Sequence, residues 1–173
     1  MFTPEQLSII RYCTDECIRQ QSGMASVYNM INAWDWAAKQ SQEIDVDFID
    51  HLGRLVEPGK NIGGIRTTPI SIGYEVREAD RLPERLNTLI EAYYDGRLNP
   101  EPIAREARIN KSWKIYSKYS KANIAEDIFY LEYEQIHPFN DGNGRTGKIL
   151  YNYLRDSMDD PKMPPNFWGI SNP

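Results

Sequence analysis

The sequence is poor in the residues that build disulfide frameworks and zinc sites. Among its 173 residues are two cysteines and two histidines. Cys13 and Cys17 lie four apart in a stretch of helical periodicity, with no third cysteine to extend a framework, so we read them as a buried, reduced pair. A two-histidine zinc site would need both His51 and His137 plus distant carboxylates, which argues against one. Positive charge is also scarce. Twenty Lys and Arg against 25 Asp and Glu leave a formal net charge of -5, which argues against a broad surface for nucleic acid or anionic membrane. Any phosphate binding must then come from a focused site. No run of 18 apolar residues occurs, and the opening MFTPEQLSII lacks the basic stretch and apolar run of a leader. The expectation is a soluble, cytoplasmic chain that engages neither nucleic acid nor membrane.

What is present suits a packed core. With 40% hydrophobic and 26% charged residues the composition is that of a globular protein, and the length suits one domain. Thr3-Pro4-Glu5-Gln6 reads as a helix start, with Thr3 at the N-cap, Pro4 at the first helical position and Gln6 closing a capping box. Leu7, Ile10, Cys13 and Cys17 mark one face, and Gly23 breaks the pattern. Val27, Met30, Ile31, Trp34 and Ala38 give a second helix, while Asp45 caps a third carrying Val46, Ile49, Leu52 and Val56. Between Pro58 and Gly73 the helical period vanishes, and this Gly-, Thr- and Ile-rich stretch predicts a β-hairpin with Pro69 confined to an edge. Helical periodicity returns from Leu82 to Asp95, from about Pro102 to Tyr116, from about Ala122 to Ile136, and from Ile149 onward. The predicted fold is mostly α with one β-hairpin.

One segment carries chemistry. Residues 137–148, HPFNDGNGRTGK, bring an imidazole, a carboxylate, three glycines, two asparagines and two cations into twelve positions between two helical patterns. Glycines let consecutive N–H groups converge on an anion, and a helix N-terminus behind them has the same preference for negative charge. Asp141 beside such a nest would repel phosphates unless a divalent cation lay between, which is how Mg²⁺ is commonly held. Arg145 offers a planar fork for phosphate oxygens and Lys148 a point charge. His137, expected to titrate near neutrality, is suited to taking a proton from an incoming hydroxyl. Phe139 reads as an apolar anchor beneath the loop. Gly142 to Lys148 also fits the front of a Walker A loop, G-x-x-x-x-G-K. However, Ile149 stands where Ser or Thr would reach the metal, and the preceding segment is helical in pattern.

The same segment closely resembles the Fic signature, H-x-F-x-[DE]-G-N-G-R-x-x-R, of the family that transfers AMP from ATP to protein hydroxyls. Upstream, residues 49–73 resemble that family's helix and β-hairpin flap, and Pro164-Pro165 resembles a proline pair after its last core helix. The resemblance implies a Fic-type helical bundle from residue 44 to 173, with residues 1–43 forming helices packed on it. It further implies His137 as general base, Asp141 as Mg²⁺ ligand, and Gly142, Asn143 and Gly144 as an anion hole. Arg145 would grip the distal phosphates, so that His137, Asp141 and Arg145 form the catalytic set. Thr68, Ile70 and Ile72 would receive a protein target along the flap edge by strand pairing.

Lys148 replaces the family's second arginine, which holds the γ-phosphate and serves as the handle for an inhibitory glutamate. The inhibitory pattern S/T-x-x-x-E-G/N is missing from both termini, which leaves a separate small antitoxin protein among the expected partners. The implied activity is protein adenylylation with ATP and Mg²⁺. The alternatives are transfer of another phosphate-containing group, including Doc-like kinase activity, and target binding with weak catalysis.

Overall fold

The computed structural model describes residues 2–101 and 122–165. Thr3 opens α1 (Pro4–Arg19) as the sequence predicts: its hydroxyl accepts from the Gln6 N–H and the Gln6 side chain accepts from the Thr3 N–H. Gly23 precedes α2 (Met24–Ala38), and Asp45 caps α3 (Val46–Val56) by accepting from the Phe48 N–H at 2.7 Å. Then come α4 (Leu82–Tyr94), α5 (Ala125–Ile136) and α6 (Asn143–Leu154). The helix expected at about 102–116 lies outside the described residues.

The hairpin falls later than the sequence suggests. Its strands are β1 (Ile70–Ile72) and β2 (Glu75–Arg77), antiparallel, with Ile70 opposite Arg77 and Ile72 opposite Glu75. Gly73 and Tyr74 form a two-residue turn, which Gly73 permits with φ +59. Residues 58–69, expected within the hairpin, are instead loop and turn. Arg66 is buried there and bonded to four carbonyls, so tertiary contacts override the local strand signal.

The main core cluster draws side chains from all six described helices, including Cys17, Trp34, Leu52, Leu86, Tyr133 and Ile149, and a smaller one joins Ala122, Ile128 and Leu131. Cys13 and Cys17 are free thiols, fully buried, as expected. Helix α6 packs against α2, α3 and α5, so the second half of the 137–148 segment lies inside the bundle, behind the loop formed by its first half. No described helix is long and apolar enough to cross a membrane.

Gly53 on α3 shows how tightly the loop is seated. A Cβ there would lie 2.2 Å from Cζ of Phe139, a fully buried ring. Gly53→Ala gains about 1 kcal/mol of helix propensity, but displacing a ring locked in the core costs about 1–3 kcal/mol and, at so short a contact, the upper end applies. Thermal unfolding should show a Tm lowered by a few degrees, at about 2–4 °C per kcal/mol. An unchanged Tm would mean that Phe139 is not wedged against α3.

Candidate active site

Helix α5 ends on His137, whose backbone is left-handed at φ +52 and whose N–H donates to Tyr133 O at 2.9 Å. A β-carbon in that conformation costs about 1 kcal/mol or more, and it turns the chain sharply from helix into the glycine-bearing loop. The ring is half-buried, with Nδ1 3.3 Å from Glu134 O. In the tautomer in which Nδ1 donates to that carbonyl, Nε2 remains as the acceptor. Burial pushes the imidazole down to about 4, the Glu134 carbonyl opposing it and the nearby Arg66 and Arg77 cations adding to it. This corrects the expectation of titration near neutrality: desolvation keeps His137 neutral, and able to accept a proton, throughout the physiological range.

The loop is braced from two sides. Asn143, buried, accepts from the Phe139 N–H at 2.9 Å and donates to Phe139 O at 2.8 Å. Asn61, fully buried, donates to Gly53 O at 3.0 Å and to Asp141 O at 2.9 Å. Gly142 then caps α6 in a left-handed conformation, φ +76, that side chains rarely adopt. The first bond of the helix runs from the Thr146 N–H to Gly142 O at 2.9 Å. The N–H groups of Asn143, Gly144 and Arg145 therefore stand ahead of the helical ladder, at the positive end of its dipole, where an anion fits.

Around this nest the charges are already paired. Asp141 bonds Lys60 through Oδ2, and its Oδ1 lies 3.5 Å from Arg145 Nη2. Burial raises the Asp141 carboxyl, but Lys60, the Gly142 N–H and Arg145 outweigh it and hold the group below its ordinary value. Arg145 is buried and reaches Glu57 Oε2 at 2.9 Å. Lys148 is buried too, and its ammonium is paired with Glu16 of α1. Glu16 also takes bonds from Arg19 and Gln20, and a Cβ on Gly144 would lie 2.6 Å from Gln20 Nε2. The end of α1 thus lies against the nest. Beneath it, burial pushes the Glu134 carboxyl up to about 8 against the pull of Arg19.

His137, Asp141, Gly142, Asn143, Gly144, Arg145 and Lys148 thus cluster at the start of α6, as the sequence groups them. The side chains of Asn143, Arg145 and Lys148 are turned inward and engaged with protein partners. On the flap, Thr68 is exposed, whereas Ile70 and Ile72 are half-buried. They share a face with Arg77, whose guanidinium reaches Gln135 of α5 at 3.0 Å. Ser71, Tyr74 and Val76 are the exposed side chains of the hairpin and its turn besides Glu75.

Sequence reasoning missed Glu16, Gln20, Lys60 and Asn61. Tyr12 stands four residues before Glu16, so the inhibitory pattern does not flag that glutamate. Lys60 and Asn61 lie some 80 residues from the loop they hold, and no local period marks them.

No curated protein matches this chain. A family model described as the Fic/DOC family matches residues 38–154, more than half of the chain, from the end of α2 through the last residue of α6. With its histidine at the end of α5 and its anion nest opening α6, the chain belongs to the Fic/DOC family.

Proposed function

We propose that this protein transfers AMP from ATP to a hydroxyl side chain of a protein target. Its family is one whose members transfer phosphate-containing groups. The observation that carries the reading is a neutral imidazole held at the mouth of an anion nest: His137 ends α5, and five residues later Gly142 opens the N-terminus of α6. In this reading His137 Nε2 takes the proton of the target hydroxyl as its oxygen bonds the α-phosphorus. The bond from that phosphorus to the bridging oxygen breaks, and pyrophosphate leaves. The N–H groups of Asn143, Gly144 and Arg145 receive the negative charge on the phosphates, and the bracing by Asn61 and Asn143 keeps them aimed without reorganisation. The exposed edge of the hairpin would receive the target segment by strand pairing.

The chemistry of the donor set fits Mg²⁺. Asp141 is a part-exposed carboxylate kept ionised by cations already drawn to it, and one carboxylate plus phosphate oxygens is a common arrangement for that ion. When bound, Mg²⁺ would neutralise phosphate charge during transfer. Lys60 now satisfies Asp141 and would have to give way. Asp141→Ala is therefore expected to lose most Mg²⁺ dependence and most activity. Lys60→Met is expected to lower the Mg²⁺ concentration for half-maximal rate by a few-fold, since an exposed pair contributes about 0.2–1 kcal/mol. An unchanged requirement in both variants would place the metal elsewhere.

Incubation with Mg²⁺, a cell extract and ATP labelled at the α or the γ position separates the possible reactions. Label from α on protein supports the proposal, and label from γ alone overturns it in favour of a kinase. No label from either position overturns ATP as donor. Where α label does appear, a separate small antitoxin would be sought as a protein that suppresses it.

A further inference from the structure

Arg66 is 3% exposed although it lies in the loop that leads into the hairpin. Its backbone N–H donates to Pro138 O at 2.9 Å and its Nε to His137 O at 2.9 Å. Nη1 donates to Thr68 O at 2.8 Å and Arg77 O at 3.0 Å, and Nη2 to Glu78 O at 3.0 Å. One guanidinium thus gathers the chain entering the flap, the chain leaving it, and the carbonyl of His137.

The bonding pattern has two physical consequences. A buried cation is tolerated only while its donors are engaged, and four of the five guanidinium N–H groups bond carbonyls here, so these bonds support one another. The planar fork also fixes angles that a lysine ammonium cannot. Both ends of a two-stranded hairpin, which would be marginal alone, are fastened to the peptide that follows the imidazole.

We propose that Arg66 is a positioning residue that sets the register between the flap edge and the His137 imidazole. It acts on transfer by placing the target hydroxyl and leaves nucleotide binding to the nest. The inference rests on the proposed roles of the flap as docking edge and His137 as base. Register is decisive because a slip of one residue moves a paired segment by about 3.4 Å and turns its side chain to the opposite face. The contacts that brace the nest, through Asn61, Asn143 and Phe139, do not include Arg66.

The test compares Arg66→Lys and Arg66→Met with the wild-type chain through readouts with and without activity. Amide hydrogen exchange should speed up by about ten-fold or more at residues 70–72 and 75–77, with α3 and α6 unchanged. The His137 imidazole resonance should shift while that of His51, the other histidine, stays as an internal reference. With α-labelled ATP and a cell extract, protein labelling should fall by about 100-fold, the scale of an ångström-sized misplacement, with ATP affinity retained within a few-fold. Unaltered flap exchange and an unmoved His137 resonance would overturn the proposal, as would an ATP affinity that falls in step with labelling. If the wild-type chain labels no protein, the transferase reading fails, and the exchange and resonance arms still decide whether Arg66 fixes the flap against the imidazole.

Discussion

His137→Ala is expected to abolish detectable transfer of α-label to protein while ATP still binds. A positioned general base contributes about 10²–10⁴-fold, and in the proposed transfer the imidazole takes that role. Binding should persist because the nest is made from backbone N–H groups of residues 143–145, held by Asn143 and Asn61 and not by the histidine. The left-handed backbone at position 137 calls for a control. Asparagine tolerates that conformation better than alanine, so His137→Asn should match the loss of transfer and separate chemistry from backbone strain. Loss of ATP binding in both variants would assign His137 a structural role. The pH profile adds an independent check. With the imidazole at about 4 against an ordinary 6.5, the acid limb of kcat/KM should fall near pH 4 and the rate should be flat from about pH 5 to neutrality. The same depression fixes the sign for stability. The unfolded chain takes up the proton first, so this group's contribution is present above pH 6.5 and lost as the pH falls through the folded value near 4.

Glu16→Gln is expected to make the free protein less stable and the nucleotide-bound protein more active. Glu16 and Lys148 form a buried pair, and removing one charge from such a pair costs about 3–5 kcal/mol because the other is left uncompensated. At about 2–4 °C per kcal/mol the Tm should drop by roughly 10 °C. The stranded ammonium then needs another anion, and Lys148 lies on the helix whose N-terminus forms the nest. ATP should therefore raise the Tm of the variant by several degrees more than that of the wild type, since the stabilisation a ligand gives grows with the logarithm of its affinity for the folded state. Transfer should rise about ten-fold if the freed Lys148 holds the γ-phosphate, a gain of about 1.4 kcal/mol at the transition state. An equal ATP-induced shift in both proteins would show that Glu16 is only a strut between α1 and α6. The outcome also bears on regulation, because a larger shift in the variant would mean that a carboxylate of α1 restrains Lys148.

The sequence by itself determined the helical architecture and the place of the candidate site in it. Capping at Thr3 and Asp45, the apolar periods of the helices, and the twelve residues from His137 to Lys148 are local signals. They depend on backbone geometry and near neighbours, so they can be read from a single stretch of chain. What tertiary structure decided was the state of those groups. The imidazole falls to about 4 because the fold desolvates it and brings Arg66 and Arg77 close. Lys148 meets Glu16 across 132 positions of sequence and Asp141 meets Lys60 across 81, separations over which no periodicity reports a contact. The hairpin moved to residues 70–77 because a buried guanidinium binds four carbonyls on either side of it and beyond. Burial and long-range pairing are properties of the packed core, and they set which of the motif's side chains are free to meet a phosphate and which are held inside.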